Sequence, residues 1–242
     1  QLYTSETFHQ LRVEIKKLNA LFDLIKFCNK DFKQKKTFKP FKLVFRQAGK
    51  IRELQLEEVM LNDFISSELI ANYTANLNQL QFKEQEYFFS IVNQKLIARL
   101  KKKHTIIIAF LRAVKKKKAH SYIQEKKNTI QEILHQNSVQ KETAHELRKR
   151  IKILNYALIS LSLDKTNPTY YKKDALPTLL GEWHDYEVFV EQLERDILEG
   201  KISKKEVSPI KKIIKKIVAK NDLLFEEINR VWKEEKDLFF EK

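Results

Sequence analysis

Glycine is scarce in this 242-residue chain, which contains only three. Phosphate-cradling loops, tight hairpins and dinucleotide-binding turns need glycine where the backbone bends sharply or approaches a ligand closely, so these sites are nearly excluded. Proline is also rare, with four residues, and long segments rich in Leu, Ile, Lys, Glu and Gln contain no helix breaker. The composition therefore predicts an almost entirely α-helical protein.

Cysteine and long apolar runs are scarce as well. The single Cys28 cannot form a disulfide within the chain, and no basic segment followed by an apolar one resembles a secretion signal. No run approaches the roughly 18 apolar residues of a membrane span. We therefore expect a cytoplasmic protein that does not insert into a membrane.

The charge is strongly unbalanced, with 47 Lys and Arg against 32 Asp and Glu and a formal net charge of +15. Such a charge favours an anionic partner, which could be nucleic acid, polyphosphate or an acidic membrane surface. Charge alone does not choose among these three partners.

A basic signature occurs twice. The run His9–Asn19 returns as His145–Asn155, with seven of eleven positions identical. On an α-helix, the histidine, the arginine three residues later and the lysine seven residues later share one side, while leucine and isoleucine occupy the opposite side. We call the triplets His9, Arg12, Lys16 and His145, Arg148, Lys152 the two cationic stripes. Their repetition predicts two equivalent half-sites that face one anionic ligand.

A second repeated pattern supports an internal duplication. Gly49 is followed by the basic–acidic pair Arg52-Glu53, and Gly181 by His184-Asp185. Both patterns lie at a similar distance after their cationic stripe, so the chain is predicted to consist of two similar helical bundles. We place the two sequence halves at about residues 1–137 and 138–242.

Helical periodicity and breakers give approximate boundaries. A Lys-rich loop is predicted up to Pro40, Gly49 and Gly181 are predicted to end helices, and a loop is predicted at Asp164–Pro168. Ser203 and Glu206 have the spacing of a capping box. The predicted helices cover residues 5–32, 40–49, 51–72, 77–136 as one helix or two, 140–163, a short segment ending at 181, a segment to 199, and a last helix from 203.

The same residues resemble the CHAD domain, the conserved histidine α-helical domain. The similarity is clearest at His145–Leu158 and at Leu180–Val188, the latter similar to the family's Leu-Gly-x-x-Arg/Asn-Asp-x-x-Val. The resemblance implies one CHAD-like domain over residues 1–242. It would be an all-α pair of four-helix bundles related by a pseudo-two-fold axis around a basic central cavity. It also implies binding of inorganic polyphosphate, with association with polyphosphate granules.

The chain departs from the family pattern in ways that reduce its positive charge. Asn19 and Asn155 stand where the family often has arginine, and the Arg52-Glu53 and His184-Asp185 pairs replace the usual Arg-Asp. These changes bear on affinity more than on fold.

The candidate polyphosphate ligands are cationic side chains, because arginine offers a planar fork of donors and lysine a point charge to phosphoryl oxygens. The lysines of the amphipathic last helix would either line the cavity or face solvent. The predicted site consists of His9, Arg12, Lys16, Lys17, Arg52, His145, Arg148, Lys149, Lys152, His184, Lys212 and Lys216.

Two alternatives remain open at the level of sequence. The net charge also suits a nucleic-acid-binding helical protein, although base stacking would need exposed aromatic side chains among the basic ones. Glu6-x-x-His9 and Glu142-x-x-His145 match the spacing of di-iron bundles, but Arg12 and Lys16 on the same face oppose a metal cation. No Walker motif, zinc spacing or nucleophile–base arrangement occurs. We therefore expect a non-catalytic binding module with no cofactor and no metal.

Overall fold

The computed structural model describes residues 5–136, 139–161 and 175–240, and these ranges are helical with no strand. The predicted all-α class is confirmed. A one-turn 3-10 helix at Ser67–Ile70 precedes the third α-helix. The α-helices are α1 (Ser5–Cys28), α2 (Gln34–Phe64), α3 (Ala71–Ile91), α4 (Gln94–Arg112), α5 (Lys116–Leu134), α6 (Lys141–Ser160), α7 (Ala175–Leu198) and α8 (Lys204–Phe240).

The chain folds into two compact units. Within the described residues, unit 1 comprises residues 5–55, 80–127 and 152–161, and unit 2 comprises residues 56–79, 128–136, 139–151 and 175–240. The predicted boundary between the sequence halves, at residues 137 and 138, lies outside the described residues, as does the predicted loop at Asp164–Pro168.

An aromatic cluster in unit 1 explains why α2 begins earlier than predicted. The Phe22 ring of α1 meets the rings of Phe32, Phe38 and Phe41 at centroid distances of 5.4, 5.9 and 6.1 Å. Burial of these rings requires helical periodicity already at Phe38, and the prediction of a loop up to Pro40 is wrong. Pro40 lies in the second turn, where it removes one backbone hydrogen bond, a smaller loss than the aromatic burial regains.

Neither Gly49 nor Gly181 ends a helix, so that prediction is also wrong. α2 passes through Gly49 and α7 passes through Gly181. Glycine inside a helix costs about 1 kcal/mol, whereas continuing α7 buries Leu180 and Trp183 completely, which contributes more. The glycine that ends a helix is Gly200, whose φ of +69° is the left-handed conformation typical of the residue after a helix.

The region predicted as one long helix or two, residues 77–136, contains parts of three. α3 ends at Ile91, and Asn93 caps α4 by accepting a hydrogen bond from the Leu96 N–H at 3.1 Å. α4 ends at Arg112 without glycine or proline, and the N–H of the following Ala113 bonds to the Phe110 carbonyl. In the sequence, Asn93 marks the break between α3 and α4.

In unit 2, α7 and α8 pack through an apolar face. Ile210 and Ile217 of α8 are fully buried, and the Trp183 ring of α7 lies 5.4 Å from the Phe225 ring. Ser203 donates from Oγ to the Glu206 carboxylate at 2.6 Å, so the predicted pair does interact at the start of α8. The same carboxylate accepts hydrogen bonds from the first N–H groups of α3, as a capping side chain does.

Among the described helices, none combines the length and the apolar character that a membrane span requires.

Candidate functional site

Arg12 of the first cationic stripe packs against the backbone of α2 at Gly49. A Cβ atom at residue 49 would lie 2.0 Å from Arg12 Nη1, so only glycine leaves room for the guanidinium in this position. The same Nη1 donates to the Phe45 carbonyl at 3.3 Å, and the guanidinium carbon lies 4.5 Å from the centre of the Phe45 ring. The conformation of Arg12 is therefore defined by α2.

Burial and neighbouring charges act on Arg12 in opposite directions. Burial lowers its pKa, the Glu53 carboxylate one helical turn beyond Gly49 opposes the shift, and the nearby Arg52 adds to it. Two guanidinium groups and one carboxylate thus share a small region, leaving a local excess of positive charge. An anion bound here would meet cations that are already partly stripped of water, which strengthens their attraction.

The second stripe repeats this arrangement at Arg148, which lies in unit 2. Arg148 of α6 is 17% exposed, and its Nη2 lies 3.7 Å from Oδ1 of Asp185 on α7. Asp185 is the residue one turn after Gly181, as Glu53 is one turn after Gly49. In each stripe the arginine is therefore held near an acid that follows a glycine by four residues. The two copies differ at the glycine, because a Cβ at Gly181 would meet nothing within 4 Å.

His145 belongs to a cluster that the sequence did not predict as a unit. Its Nε2 lies 3.0 Å from Glu187 Oε2, and its ring centre lies 4.9 Å from that of His184. Ligand atoms of these three residues lie within 4.8 Å of one another, so they could hold a metal ion. Lys141 Nζ already lies 3.5 Å from the other oxygen of Glu187, and Arg148 is on the next turn of α6, so positive charge competes for the same carboxylate.

Among the described residues, the first stripe has no equivalent cluster. His9 is exposed, and the positions that correspond to His184 and Glu187 hold Arg52 and the amide Gln55. The half-site in unit 1 is therefore rich in guanidinium, whereas the one in unit 2 combines imidazole with carboxylate. The surroundings of the two stripes are therefore similar at the arginines and different at the histidines.

The other predicted site residues occupy several environments. Lys16 and Lys152 are half-buried on their stripes, and Lys149 is exposed. Lys17 pairs with Glu14 at 2.6 Å, one turn away on the same helix.

Lys212 and Lys216 are exposed on α8, and their side chains form no hydrogen bond or ion pair with another described residue. A different lysine of α8 faces α7: Lys220 Nζ lies 2.6 Å from Tyr186 Oη and 4.8 Å from the centre of its ring. The hydrogen bond to Tyr186 raises the pKa of Lys220.

The two glycines give a matched prediction. Gly181→Ala should stabilise the protein by about 1 kcal/mol, because alanine favours the helix and nothing obstructs its methyl group. Gly49→Ala should gain little or no stability and should displace the Arg12 guanidinium, weakening anion binding several-fold. Urea unfolding and polyphosphate titration of both variants check this. Unchanged binding in folded Gly49→Ala protein would show that the position of Arg12 does not matter.

The family model of the CHAD domain matches residues 3–194. The chain therefore belongs to the CHAD domain family, as its duplicated signature and its Leu-Gly-Glu-Trp-His-Asp segment suggest. No curated protein and no solved structure matches this chain.

Proposed function

We propose that this protein binds inorganic polyphosphate through its two cationic stripes and catalyses no reaction. The observation that carries the proposal is the paired arginine geometry. Arg12 is fixed against Gly49 beside Glu53, and Arg148 is held 3.7 Å from Asp185. Membership of the CHAD family supports the same ligand.

The chemistry of the arginines suits a repeating phosphate chain. A guanidinium carries five N–H donors in a fixed plane, so one can bond the protein while others face phosphoryl oxygens. Arg12 uses Nη1 for the Phe45 carbonyl, and the single nearby carboxylate, that of Glu53, cannot neutralise both Arg12 and Arg52. Orientation before binding reduces the conformational entropy lost when the anion arrives.

The internal duplication supports the binding of one repeating ligand by both stripes. Two stripes with the same residue spacing suit one ligand whose chemical unit repeats, as phosphate does in polyphosphate. We infer that residues 1–242 form one CHAD domain of two similar four-helix bundles, related by a pseudo-two-fold axis, with the stripes lining a basic cavity. A cytoplasmic location, in contact with polyphosphate granules, follows from this ligand.

Nucleic acid remains the competing partner because of the net charge of +15 and because α3 exposes three aromatic rings. Phe82 is 62% exposed, Tyr87 is 54% exposed and Phe89 is 41% exposed. Between Phe82 and Tyr87 the sequence has Lys83 but also Glu84 and Glu86, so this segment of α3 lacks the excess of basic groups that a phosphate backbone would need.

A titration distinguishes these partners. Long-chain polyphosphate and single-stranded DNA are titrated at matched phosphate concentration over a series of salt concentrations. We expect polyphosphate to bind more tightly at every salt concentration, because its charges are denser and no base must be accommodated. Its affinity should also fall steeply with salt. On single-stranded nucleic acid, the logarithm of the binding constant falls by about 0.7 per phosphate contact for each tenfold rise in salt concentration. Equal or tighter DNA binding would favour the competing function.

A further inference from the structure

A cavity of about 620 Å³ opens on unit 1, and no residue of the cationic stripes lines it. It is lined by one side of α2 and by Arg99 of α4. A volume of this size falls within the roughly 300–1,000 Å³ of small-molecule sites. The segment Lys35–Lys39 in its wall was predicted as a loop, so this surface was not predicted from the sequence.

Five cations surround the cavity. The spacing of the four on α2 is four, three and four residues, which places them on one side of the helix. All five are exposed, and none forms an ion pair with a carboxylate in the described part of the chain. They are Lys35, Lys39, Lys42, Arg46 and Arg99. This concentration of positive charge without a protein counter-ion favours a multiply charged anion.

The remaining wall is apolar and largely fixed. Pro40 is buried, and Phe38 packs into the aromatic cluster of unit 1 around Phe22. Leu43 is 43% exposed and lies one residue from Lys42 and three from Arg46. An inorganic phosphate chain could neutralise the cations but would leave this apolar wall in water. The cavity therefore suits a ligand that has both an anionic group and an apolar group.

We propose that this cavity binds a phosphorylated organic anion of the nucleoside polyphosphate class. The ring-sized apolar group lies against Leu43 and Pro40, and the phosphate chain faces Arg46, Arg99 and the lysines of α2. The site is independent of the cationic stripes and of their ligand.

The test compares two triphosphates that differ in the organic group. ATP and inorganic tripolyphosphate are titrated, without divalent cations and at the same ionic strength, against the wild type and against the Arg12→Glu, Arg148→Glu variant, because tripolyphosphate can also bind the stripes of the wild type. Tripolyphosphate has the higher charge, so a purely electrostatic surface binds it at least as tightly as ATP. The proposal predicts that the variant binds ATP about tenfold more tightly than tripolyphosphate, because part of the apolar surface of ATP leaves water. Equal binding, or tighter tripolyphosphate binding, by the folded variant would overturn the proposal.

Three variants localise the effect. Leu43→Ser should remove the preference for ATP, whereas Leu80→Ser, at a leucine of similar exposure on α3, should retain it. Arg46→Glu combined with Arg99→Glu should weaken both ligands. A preference that survives Leu43→Ser in folded protein would contradict the proposed wall contact.

Arg12→Glu combined with Arg148→Glu separates this site from the stripes, because it reverses the charge of both stripe arginines. That double variant should keep the preference for ATP even where long-chain polyphosphate binding is lost. Loss of the preference for ATP in that variant, while its thermal unfolding is unchanged, would place ATP at the stripes and overturn the second site.

Discussion

Reversing the charge of either stripe arginine should weaken polyphosphate binding by about 10- to 100-fold, the loss expected for one charge-assisted hydrogen bond to phosphate. Arg12→Glu and Arg148→Glu should each act by a comparable factor, and the double variant should bind almost nothing at moderate salt. The physical reason is that each change removes a fixed donor and places a second carboxylate beside Glu53 or Asp185. Titration of long-chain polyphosphate against the variants measures the effect.

A matched control separates a site from overall charge. Lys116→Glu combined with Lys117→Glu changes the net charge by the same amount as the double arginine variant. Both lysines are exposed in the first turn of α5, where acidic side chains are tolerated. This control should lose much less affinity. If folded proteins of both kinds lose affinity equally, the partner responds only to net charge and the stripes are not a site.

Arg12 also contributes to packing, so stability must be measured in parallel. Its contacts with Phe45 and Gly49 are lost in Arg12→Glu. Arg12→Gln removes the positive charge and retains an amide donor of shorter reach. Weakened binding by Arg12→Gln at an unchanged melting temperature would assign the effect to the lost charge.

A buried carboxyl in unit 2 should make stability depend on pH. Tyr73 Oη contacts Glu57 Oε1, and it also lies 2.7 Å from Asp196 Oδ2. One hydroxyl proton cannot serve two carboxylates, and burial raises the pKa of Glu57 to about 7. Below about pH 7, Glu57 therefore holds a proton that it can donate to Tyr73 Oη, while Tyr73 donates to Asp196.

Because the pKa of Glu57 is raised in the folded state, its contribution to stability decreases as the pH rises. The folded state binds the proton of Glu57 more tightly than the unfolded state, so this contribution is complete below about pH 4.5 and is lost as pH rises through about 7. Glu57→Gln remains uncharged at every pH. From pH 5 to pH 8 the wild type should lose about 3 kcal/mol of unfolding free energy relative to this variant. Urea unfolding at both pH values measures the difference.

Glu86→Gln provides the control, because Glu86 is an exposed carboxylate on α3. It should shift the unfolding free energy equally at pH 5 and pH 8. If Glu57→Gln does the same, Glu57 titrates alike in the folded and unfolded states, and the assigned proton is wrong.

The sequence predicted what periodicity and repetition determine. The helical class follows from scarce glycine, and the alternation between the stripe of Arg12 and the buried side of Ile15 follows from helical geometry. Repetition identified Arg148 as the counterpart of Arg12. It also related Glu53 to Asp185, and both acids lie beside their stripe arginine.

Tertiary packing determined the rest. Gly49 was predicted as a terminator because glycine usually ends helices, whereas its role is to admit a side chain from α1, a contact that no local pattern encodes. In the same way, the burial of aromatic rings around Phe22 outweighs the helix-breaking tendency of Pro40. Glu187 was missed as a neighbour of His145, because only the packing of α6 against α7 brings them together.

The most direct test of the stripes as the polyphosphate site is a lysine footprint, in which side-chain acetylation is measured with and without long-chain polyphosphate. We predict that Lys16, Lys149 and Lys152, on or next to the stripes, react more slowly when polyphosphate is bound. Lys116 and Lys117 should react at the same rate in both samples. Equal protection of all these lysines, or none at the stripes, would contradict the assignment of the stripes as the polyphosphate site.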